Sequence, residues 1–380
     1  MRIVWLNWYY DADIPDPPAL LARYEALTGW CRAVARCESV DVHVIQRFHT
    51  SADVSADGVT YHFVADALPP RLRWHHRPRA CRTMMTELRP SVVHAHGLPY
   101  LLPYFSRVMP ARSVLLWQHH GGPDPPRERR LAYWNAFRAV DGVLFTSIDM
   151  GSAWKKERIL PRGVHVYEIP ESSTRMTPVP RDHARQLLGI EAAHVFLFVG
   201  RLDQNKDPLA ALRAFRNLCS VRTDVLLLVI YSDDLLLNEV ERAAREWGIQ
   251  SYLRLRRNVP HSDMHLYYSA SDFLVSASHS EGSGFALIEA LACGVYPVVP
   301  SIPAFRSLTR FGEAGALWRP GDEDGFSWGL NWAIGHAPAR ETLQRFFRDT
   351  LSFEAIGSAA VDVYRTALSR AARLVGDRNG

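Results

Sequence analysis

The chain has 380 residues, of which 47% are hydrophobic and 22% are charged, and its formal net charge at pH 7 is +4. This length predicts two domains, and the ordinary globular composition excludes a chain that is disordered throughout. No run approaches the roughly 18–20 apolar residues of a membrane span, residues 1–6 are too short for a signal-peptide core, and the five cysteines form no C-x-x-C pair. We therefore expect a cytoplasmic protein with reduced thiols and no structural zinc.

Short β-branched runs alternate with amphipathic stretches along almost the whole chain. They predict strands at residues 3–6, 40–46, 59–64, 92–95, 114–118, 142–145, 164–168, 195–199, 225–230, 252–255, 273–276 and 296–299. They predict helices at residues 19–35, 79–88, 127–140, 149–157, 208–218, 235–247, 262–269, 285–292 and 353–374. Strands that are apolar on both faces and separated by helices are typical of parallel sheets covered on both sides. The Pro-, Ser- and Thr-rich residues 170–180 predict a linker between two α/β domains.

The loop after the predicted strand at 195–199 carries two cations. Gly200 allows a close turn at the strand end, and Arg201 and Lys206 precede a helix that Pro208 can open. Ligands of doubly wound folds bind outside the carboxyl ends of the strands, and two cations so placed suit a diphosphate. Since the chain has 41 Arg and only 3 Lys, lysine is not its default cation. The alternative is an ordinary polar loop between a strand and a helix.

A second loop, after the predicted strand at 273–276, leads into an apolar helix. Gly282 and Gly284 let backbone amides turn toward a ligand at the helix start, which is an anion-binding geometry, and Glu281 lies at the mouth of this loop. Glu289 interrupts the apolar helix, where a carboxylate is costly unless it is hydrogen-bonded. The vicinal hydroxyls of a ribose would satisfy it. A buried glutamate held by backbone amides or by an arginine is the alternative.

These two loops carry a resemblance to a known family. The motif Gly200-Arg201-x4-Lys206, followed by Glu281-x7-Glu289 within SEGSGFALIEALACGV, resembles the retaining glycosyltransferases of family 4 (glycosyl transferases group 1). The similarity covers residues 195–364 and implies the α/β GT-B fold, in which two doubly wound Rossmann-like parallel-sheet domains face each other across a cleft. It implies an N-terminal acceptor-side domain (1–175), a C-terminal nucleotide-sugar-binding domain (176–352) and a C-terminal helix (353–380) that crosses back to the N-terminal domain.

The resemblance also implies roles for the motif residues. Arg201 and Lys206 would bind the donor diphosphate and stabilise the charge that develops on the leaving group. Glu281 would lie beside the hydroxyls of the transferred sugar, and Glu289 would bind the ribose hydroxyls. The remaining donor-binding positions are backbone or loop positions near the phosphates and the sugar: Gly200, Gly282, Ser283, Gly284 and Phe285. The family needs neither a divalent metal nor another cofactor, so we expect none here.

The first domain offers histidines at two predicted strand ends. The family places a histidine after the strand at 114–118, close to the donor sugar. His120, which precedes a glycine, is our prediction for that position, and His119 is the alternative. His96 also follows a strand and precedes a glycine, and we expect it to face the cleft. The first strand-to-helix loop, glycine-rich in the family, here carries Trp8 and Tyr9, which either stack on an acceptor sugar or pack in the core.

Positive charge is concentrated between residues 71 and 89. Six arginines lie there with a single acid, Glu87. A solvated basic face is one interpretation of this patch. Attraction to an anionic membrane surface or to a phosphorylated acceptor is the other. Nucleic acid is not expected as a partner, because no recognition motif accompanies the patch.

The resemblance implies a metal-independent, hexosyltransferase-like enzyme that moves a sugar from a nucleotide-sugar donor to an acceptor hydroxyl with retained anomeric configuration. The expected setting is synthesis of polysaccharide, lipopolysaccharide or glycolipid, in the cytoplasm and peripherally at the inner membrane face, with a saccharide or glycolipid acceptor. Two alternatives are a nucleotide-sugar epimerase on the same fold and a non-catalytic nucleotide-sugar-binding protein. The residues leave the donor base, the acceptor and the oligomeric state open.

Overall fold

The chain divides into two units in the computed structural model, which describes residues 1–121 and 124–376. The first unit contains residues 1–173 together with the residues from 353 onward, and the second unit is the continuous segment 174–352. Within the described ranges, no helix combines the length and the apolar character that crossing a bilayer would require.

The first unit is built on a sheet whose strands are listed here in chain order. They are β1 (Arg2–Asn7), β2 (Asp41–Phe48), β3 (Ala52–Ala56), β4 (Val59–Ala65), β5 (Val92–Ala95), β6 (Val114–Gln118), β7 (Gly142–Phe145) and β8 (His165–Glu168). Their order in the sheet is β3-β4-β2-β1-β5-β6-β7-β8. Pairing is parallel from β4 to β8, and β3 is an antiparallel edge strand joined to β4 by a turn at Asp57 and Gly58. Both turn residues have positive φ, at 53° and 80°.

The second unit contains a six-stranded sheet with parallel pairing throughout. Its strands are β9 (His194–Gly200), β10 (Val225–Tyr231), β11 (Leu253–Arg257), β12 (Phe273–Val275), β13 (Tyr296–Pro300) and β14 (Ala316–Trp318). They are ordered β11-β10-β9-β12-β13-β14. All seven residues of β10 and all five of β13 are buried, because helices cover both faces of this sheet. The predicted parallel sheets with apolar strands are confirmed.

Helices connect most of the strands. In the first unit they are α1 (Pro17–Arg23), α2 (Glu25–Ala35), α3 (Arg79–Leu88), α4 (Leu102–Ser106), α5 (Arg130–Phe137) and α6 (Ile148–Lys156). In the second unit they are α7 (Arg181–Leu188), α8 (Pro208–Cys219), α9 (Leu237–Glu246), α10 (Met264–Ala270), α11 (Phe285–Ala292), α12 (Pro303–Leu308), α13 (Glu323–His336) and α14 (Arg340–Thr350). The last helix, α15 (Phe353–Gly376), belongs to the first unit. Short 3₁₀ turns lie at Pro99–Leu101, Arg127–Arg129, Gln250–Tyr252 and His261–Asp263.

Helix α15 packs closely against α2 in the first unit. A Cβ at Gly29 of α2 would lie 2.5 Å from the ring of Phe353, and a Cβ at Gly357 of α15 would lie 2.6 Å from Cβ of Ala33. Only glycine at these two positions allows the helix axes to approach so closely. Helix α15 thereby completes one of the two hydrophobic clusters of this unit, to which it contributes buried Ile356 among other residues.

Several elements differ from their prediction. The helix predicted at 19–35 is two helices, because Tyr24, at φ −98° and ψ 63°, ends α1 and precedes α2. Strands β3 and β14 and helices α4, α7, α12, α13 and α14 were not predicted. β3 reads ADVSA and is mostly exposed at the sheet edge, so it lacks the apolar character on which the strand predictions relied.

Two buried histidines make the first unit sensitive to acid. Burial is the main cause that lowers the pKa of His119 to about 4 and the pKa of His94 to about 3. Unfolded imidazoles titrate near pH 6.5, so below that pH the unfolded state binds more protons than the folded state. We expect the free energy of unfolding to fall as the pH is lowered from about 6.5 to about 4, and these groups to have no effect above pH 7.

Urea unfolding at pH 7 and at pH 5 measures this change. The variant His119→Phe places a non-titrating ring against Phe145 and Trp154, so its loss of stability between the two pH values should be smaller than that of the wild type. His183→Gln, at an exposed position, is the control and should behave like the wild type. An equal loss in His119→Phe and in the wild type would contradict the role of this imidazole.

Candidate active-site residues

The loop after β9 is held in place by its own polar side chains. The Asp203 carboxylate accepts a hydrogen bond from the backbone N–H of Lys206 at 2.9 Å. Asp207, at φ +42°, caps α8 by accepting from the N–H of Ala210 at 3.0 Å. Pro208 occupies the first turn of α8, as predicted. These bonds fix the point at which the Lys206 side chain leaves the backbone.

The loops after β9 and β12 meet because these two strands are neighbours in the sheet. The N–H of His279 donates to the carbonyl of Asn205 at 2.8 Å, and the Asn205 amide donates to the carbonyl of Ser280 at 3.1 Å. Beside these bonds, Nζ of Lys206 forms an ion pair with the carboxylate of Glu281. Their side chains are only 20% and 14% exposed. The structure thus brings together two side chains that the sequence assigned to one site from separate motifs.

Arg201, the other predicted cation, is paired within its own loop. Its guanidinium lies 3.0 Å from Oδ2 of Asp203, and 55% of its side chain is exposed. Gly200 ends β9, and the aliphatic stem of Lys206 passes 3.4 Å from the point where a Cβ of Gly200 would lie. The Lys206 stem therefore lies over the end of β9, within van der Waals distance of the position that a Cβ of residue 200 would take.

Helix α11 begins at a glycine in the left-handed region. Gly284, at φ +63°, is its N-cap and supplies no capping side chain. The first N–H groups of a helix have no partner within the helix, and its N-terminus carries partial positive charge. Gly282 and Ser283 precede this helix end, and Phe285, 42% exposed, is its first residue. This end of α11 has the polarity that the predicted contact with donor phosphates requires.

Substitution of Gly284 tests the need for this backbone conformation. In Gly284→Ala the side chain would occupy the left-handed region, with its Cβ 2.5 Å from Cδ1 of Leu308. We expect the free energy of unfolding to fall by about 1–3 kcal/mol, measured by urea unfolding. Gly335→Ala is the matched control, because Gly335 lies inside α13 with open space around it. Gly335→Ala should raise the free energy of unfolding by up to about 1 kcal/mol. A Gly284→Ala variant that is as stable as the wild type would contradict the predicted backbone strain.

Glu289 is buried in α11, with 7% of the residue exposed. Its Oε2 accepts a hydrogen bond from the hydroxyl of Tyr268 at 2.8 Å, and its Oε1 lies 2.8 Å from Nε2 of His261. Burial and the neighbouring Glu289 raise the pKa of Tyr268 well above its usual value, so its hydroxyl stays protonated and donates. The side chain of His261 is 67% exposed, so this end of the carboxylate lies near the surface of the unit. Sequence reasoning missed both partners.

The histidines of the first unit lie at the carboxyl ends of β5 and β6. Nδ1 of His120 lies 2.6 Å from Oε1 of Glu171, and Nε2 of His120 lies 2.8 Å from Nδ1 of His96. The ring of His96 is stacked 4.5 Å from that of His94, whose Nδ1 lies 2.8 Å from the hydroxyl of Tyr364 in α15. Glu171, which anchors the row, was not predicted as a site residue. Among the described residues, no three His, Cys, Asp or Glu side chains are arranged to hold a metal ion, and metal independence stays a prediction.

His119 and His120 point in different directions. His119 is 5% exposed and packs against the rings of Phe145 and Trp154 at centroid distances of 4.9 and 5.0 Å, and its Nδ1 accepts from the N–H of Gly121 at 3.1 Å. The side chain of His120 is 41% exposed and lines a cavity. His119 is therefore part of the core, and His120 is the one of the pair that a ligand can reach.

Trp8 and Tyr9 line the same cavity, which has a volume of about 430 Å³ and is formed by the first unit alone. Trp8 is 2% exposed, and its ring centroid lies 4.9 Å from that of Phe105. It therefore belongs to the core and also forms part of the cavity wall. Tyr9 is 48% exposed, and the guanidinium of Arg71 lies 5.7 Å from its ring centre.

Part of the arginine patch at residues 71–89 lies around Tyr104. The guanidinium groups of Arg77 and Arg82 lie 5.7 and 4.7 Å from its ring centre, and Arg79 and Arg107 line the same surface depression. Cation–π contacts of this kind hold the cations at the surface in a defined position.

Comparisons with known protein families match a model to the second unit. Residues 181–348 match the family model described as Glycosyl transferases group 1. A D-inositol 3-phosphate glycosyltransferase from Thermobispora bispora is 33% identical over 149 residues, covering 37% of this chain and 35% of the relative. An alpha-monoglucosyldiacylglycerol synthase from Streptococcus pneumoniae is 29% identical, covering 47% and 42%. The chain thus spans less than half the length of these curated relatives.

Solved structures match over nearly the whole chain. Sucrose-phosphate synthase from Thermosynechococcus elongatus has a TM-score of 0.72 at 15% identity and covers 97% of this chain and 100% of that one. Anabaena HepE in complex with UDP and glucose has a TM-score of 0.60 at 14% identity and covers 99% and 100%. At such identities the similarity shows the fold. The predicted GT-B fold class, with two Rossmann-like parallel-sheet domains, is confirmed, and the resemblance to glycosyl transferases group 1 is confirmed for residues 181–348.

Proposed function

We propose that this protein is a retaining, metal-independent glycosyltransferase of family 4 that moves a sugar from a nucleotide-sugar donor to an acceptor hydroxyl. The observation that carries the proposal is the ion pair of Lys206 with Glu281, at neighbouring strand ends beside the glycine-opened start of α11. A cation, a helix N-terminus and a carboxylate in this order suit a diphosphate joined to a sugar.

Each motif residue has a role in this proposal. Lys206 and Arg201 bind the diphosphate and exchange their present carboxylate partners for phosphate oxygens. The backbone amides of Gly282, Ser283 and Gly284, around the start of α11, bind the phosphates and the sugar. Glu281, once released from Lys206, accepts hydrogen bonds from the sugar hydroxyls. Glu289 binds the ribose hydroxyls, and His261 and Tyr268 orient its carboxylate.

The proposed reaction takes place on one face of the sugar. The bond between the anomeric carbon and the diphosphate oxygen breaks, and the diphosphate keeps the electron pair. The acceptor oxygen then bonds to the same face of the anomeric carbon, and its proton passes to the departing phosphate oxygen. Lys206, Arg201 and the helix N-terminus stabilise the charge that grows on the diphosphate, which is the task a metal ion would otherwise perform.

The names of the relatives suggest the setting. They include an alpha-monoglucosyldiacylglycerol synthase and an O-antigen chain mannosyltransferase B. We therefore propose a saccharide or glycolipid acceptor in cell-envelope synthesis, in the cytoplasm, with peripheral contact between the arginine patch and an anionic membrane. Cosedimentation with vesicles tests this contact. Binding to anionic vesicles should exceed binding to neutral ones and should fall with added salt.

Assay of purified protein with UDP-, GDP- and ADP-sugars tests the reaction. A sugar donor that binds should raise the thermal unfolding midpoint, and transfer to an acceptor panel should proceed in excess EDTA. NMR of the product should show the anomeric configuration of the donor. Inverted product would overturn retention, and activity abolished by EDTA would overturn metal independence. An epimerised nucleotide sugar, or binding without turnover, would replace the proposal by one of its two alternatives.

A further inference from the structure

The cavity of the first unit has the size and wall of a small-molecule site. Its volume of about 430 Å³ lies in the range of such sites, which are mostly apolar with a few placed polar groups. Three tryptophans and two tyrosines are among the residues that line it: Trp5, Trp8, Trp30, Tyr9 and Tyr24. Flat aromatic faces of this kind bind the C–H faces of rings and apolar substituents.

The polar side of the cavity is the row of Glu171, His120 and His96. A carboxylate only accepts, so Nδ1 of His120 donates to Glu171. With neutral rings, Nε2 of His120 then accepts from Nδ1–H of His96. Nε2 of His96 is left with a lone pair. Burial, with the neighbouring His94 and His120, lowers the pKa of His96 well below its usual value and keeps this lone pair free of a proton.

Four residues that line the cavity each carry a buried polar atom with no hydrogen-bond partner among the described residues. One is an acceptor, Nε2 of His96, and three are donors, the indole Nε1 atoms of Trp5, Trp8 and Trp30. Buried polar atoms are partnered in about 90% of cases or more, so an unpaired acceptor and three unpaired donors among the residues of one cavity wall indicate a ligand with hydroxyl groups. A hydroxyl can both donate to the former and accept from the latter.

The charge of the wall selects against anions. None of the described residues that line the cavity is Lys or Arg, and Glu171 contributes a carboxylate. The neighbouring Arg47 is fully buried and is occupied by Asp66, with contacts of 2.9 and 2.7 Å. Arg71 lies over the ring of Tyr9 and is not a lining residue. A phosphate in this cavity would lose its hydration without gaining a cation.

We propose that this cavity is the acceptor site and takes an uncharged sugar or cyclitol ring with an apolar substituent, one hydroxyl of which donates to Nε2 of His96. Phosphorylated rings are excluded. This inference rests on the proposed function, because it assigns the molecule to the acceptor side of the reaction. His120 and Glu171 are positioning residues, which hold His96 in the tautomer that accepts.

Calorimetric titration of the 380-residue chain tests the selectivity, with and without UDP. The probes are p-nitrophenyl β-glucoside and its 6-phosphate. The neutral glucoside should bind at least about tenfold more tightly than the phosphate. His96→Phe keeps a ring of similar size and should weaken binding of the neutral glucoside about tenfold. Equal or tighter binding of the phosphate, undetectable binding of the neutral glucoside, or wild-type affinity in His96→Phe would overturn the proposal.

Adding a cation to the wall gives a gain-of-binding test. Ala26 of α2 lines the cavity, whereas Thr28 of the same helix does not. Ala26→Arg should raise the affinity for the 6-phosphate at least about tenfold, and Thr28→Arg should leave it unchanged. Failure of Ala26→Arg to do so would count against the charge argument. Failure of the proposed function would give a different result: no nucleotide sugar would raise the thermal unfolding midpoint, although the neutral glucoside would still bind.

Discussion

Replacing Lys206 by alanine is expected to lower the rate of sugar transfer by a factor of about 10³. The amino group of Lys206 is only partly exposed and pairs with Glu281, so its removal leaves this carboxylate without its counter-ion beside the phosphates. The negative charge that grows on the leaving diphosphate then meets a negative side chain instead of a positive one. Steady-state transfer rates at saturating donor measure the effect as a loss in kcat.

Lys156→Ala is the matched control for this experiment. Lys156 is one of only three lysines and lies exposed in the last turn of α6. This variant should retain wild-type transfer. Urea unfolding of both variants should show that neither loses its fold. Transfer by Lys206→Ala within tenfold of the wild-type rate would contradict the assigned role.

Removal of the Glu289 carboxylate should abolish detectable transfer. In Glu289→Ala the ribose would lose its proposed partner, and the buried hydroxyl of Tyr268 is left without its acceptor. An unsatisfied buried donor costs about 1–3 kcal/mol, so stability should also fall by about that amount in urea unfolding. Glu289→Gln keeps the shape and one acceptor oxygen. It should raise the KM for the donor with a smaller change in stability.

Tyr268→Phe separates the structural role of Glu289 from its binding role. It removes one hydrogen bond to the carboxylate but leaves the carboxylate itself in place. It should therefore lose stability while retaining most of the transfer activity. If Glu289→Gln bound the donor as tightly as wild type, Glu289 would be a core residue held by its two neighbours and the ribose contact would be wrong.

That Lys206 and Glu281 lie together could be predicted, because the signals of both loops are local. A lysine in an arginine-rich chain and an acid in an apolar helix are visible in the sequence, and parallel strands carry the following loops to one edge. The partners of Glu289 could not be found in this way. Tyr268 and His261 lie 21 and 28 residues away from Glu289, and only the tertiary structure brings them to its carboxylate.

The histidine row shows the same limit in the first unit. The sequence placed His119 and His120 at a strand end. Successive residues of a strand face opposite sides of the sheet, so only one of the two can enter the core. Which one does so depends on the packing around Trp154. Glu171 lies 51 residues from His120 and carries no local signal. The hairpin of β3 and β4, by contrast, has a readable signal that was missed. Asp57-Gly58 is a favoured two-residue hairpin turn.

The packing of α15 on α2 has a consequence for the order of folding during synthesis. The second unit is continuous in sequence, whereas the core of the first contains residues from both sides of it. Domains form as units while the chain emerges from the ribosome. The segment 174–352 is therefore complete, and can fold, before α15 has been translated. Until then, the apolar face of α2 around Gly29 has no helix packed against it. During that interval this face is open to chaperones and to aggregation.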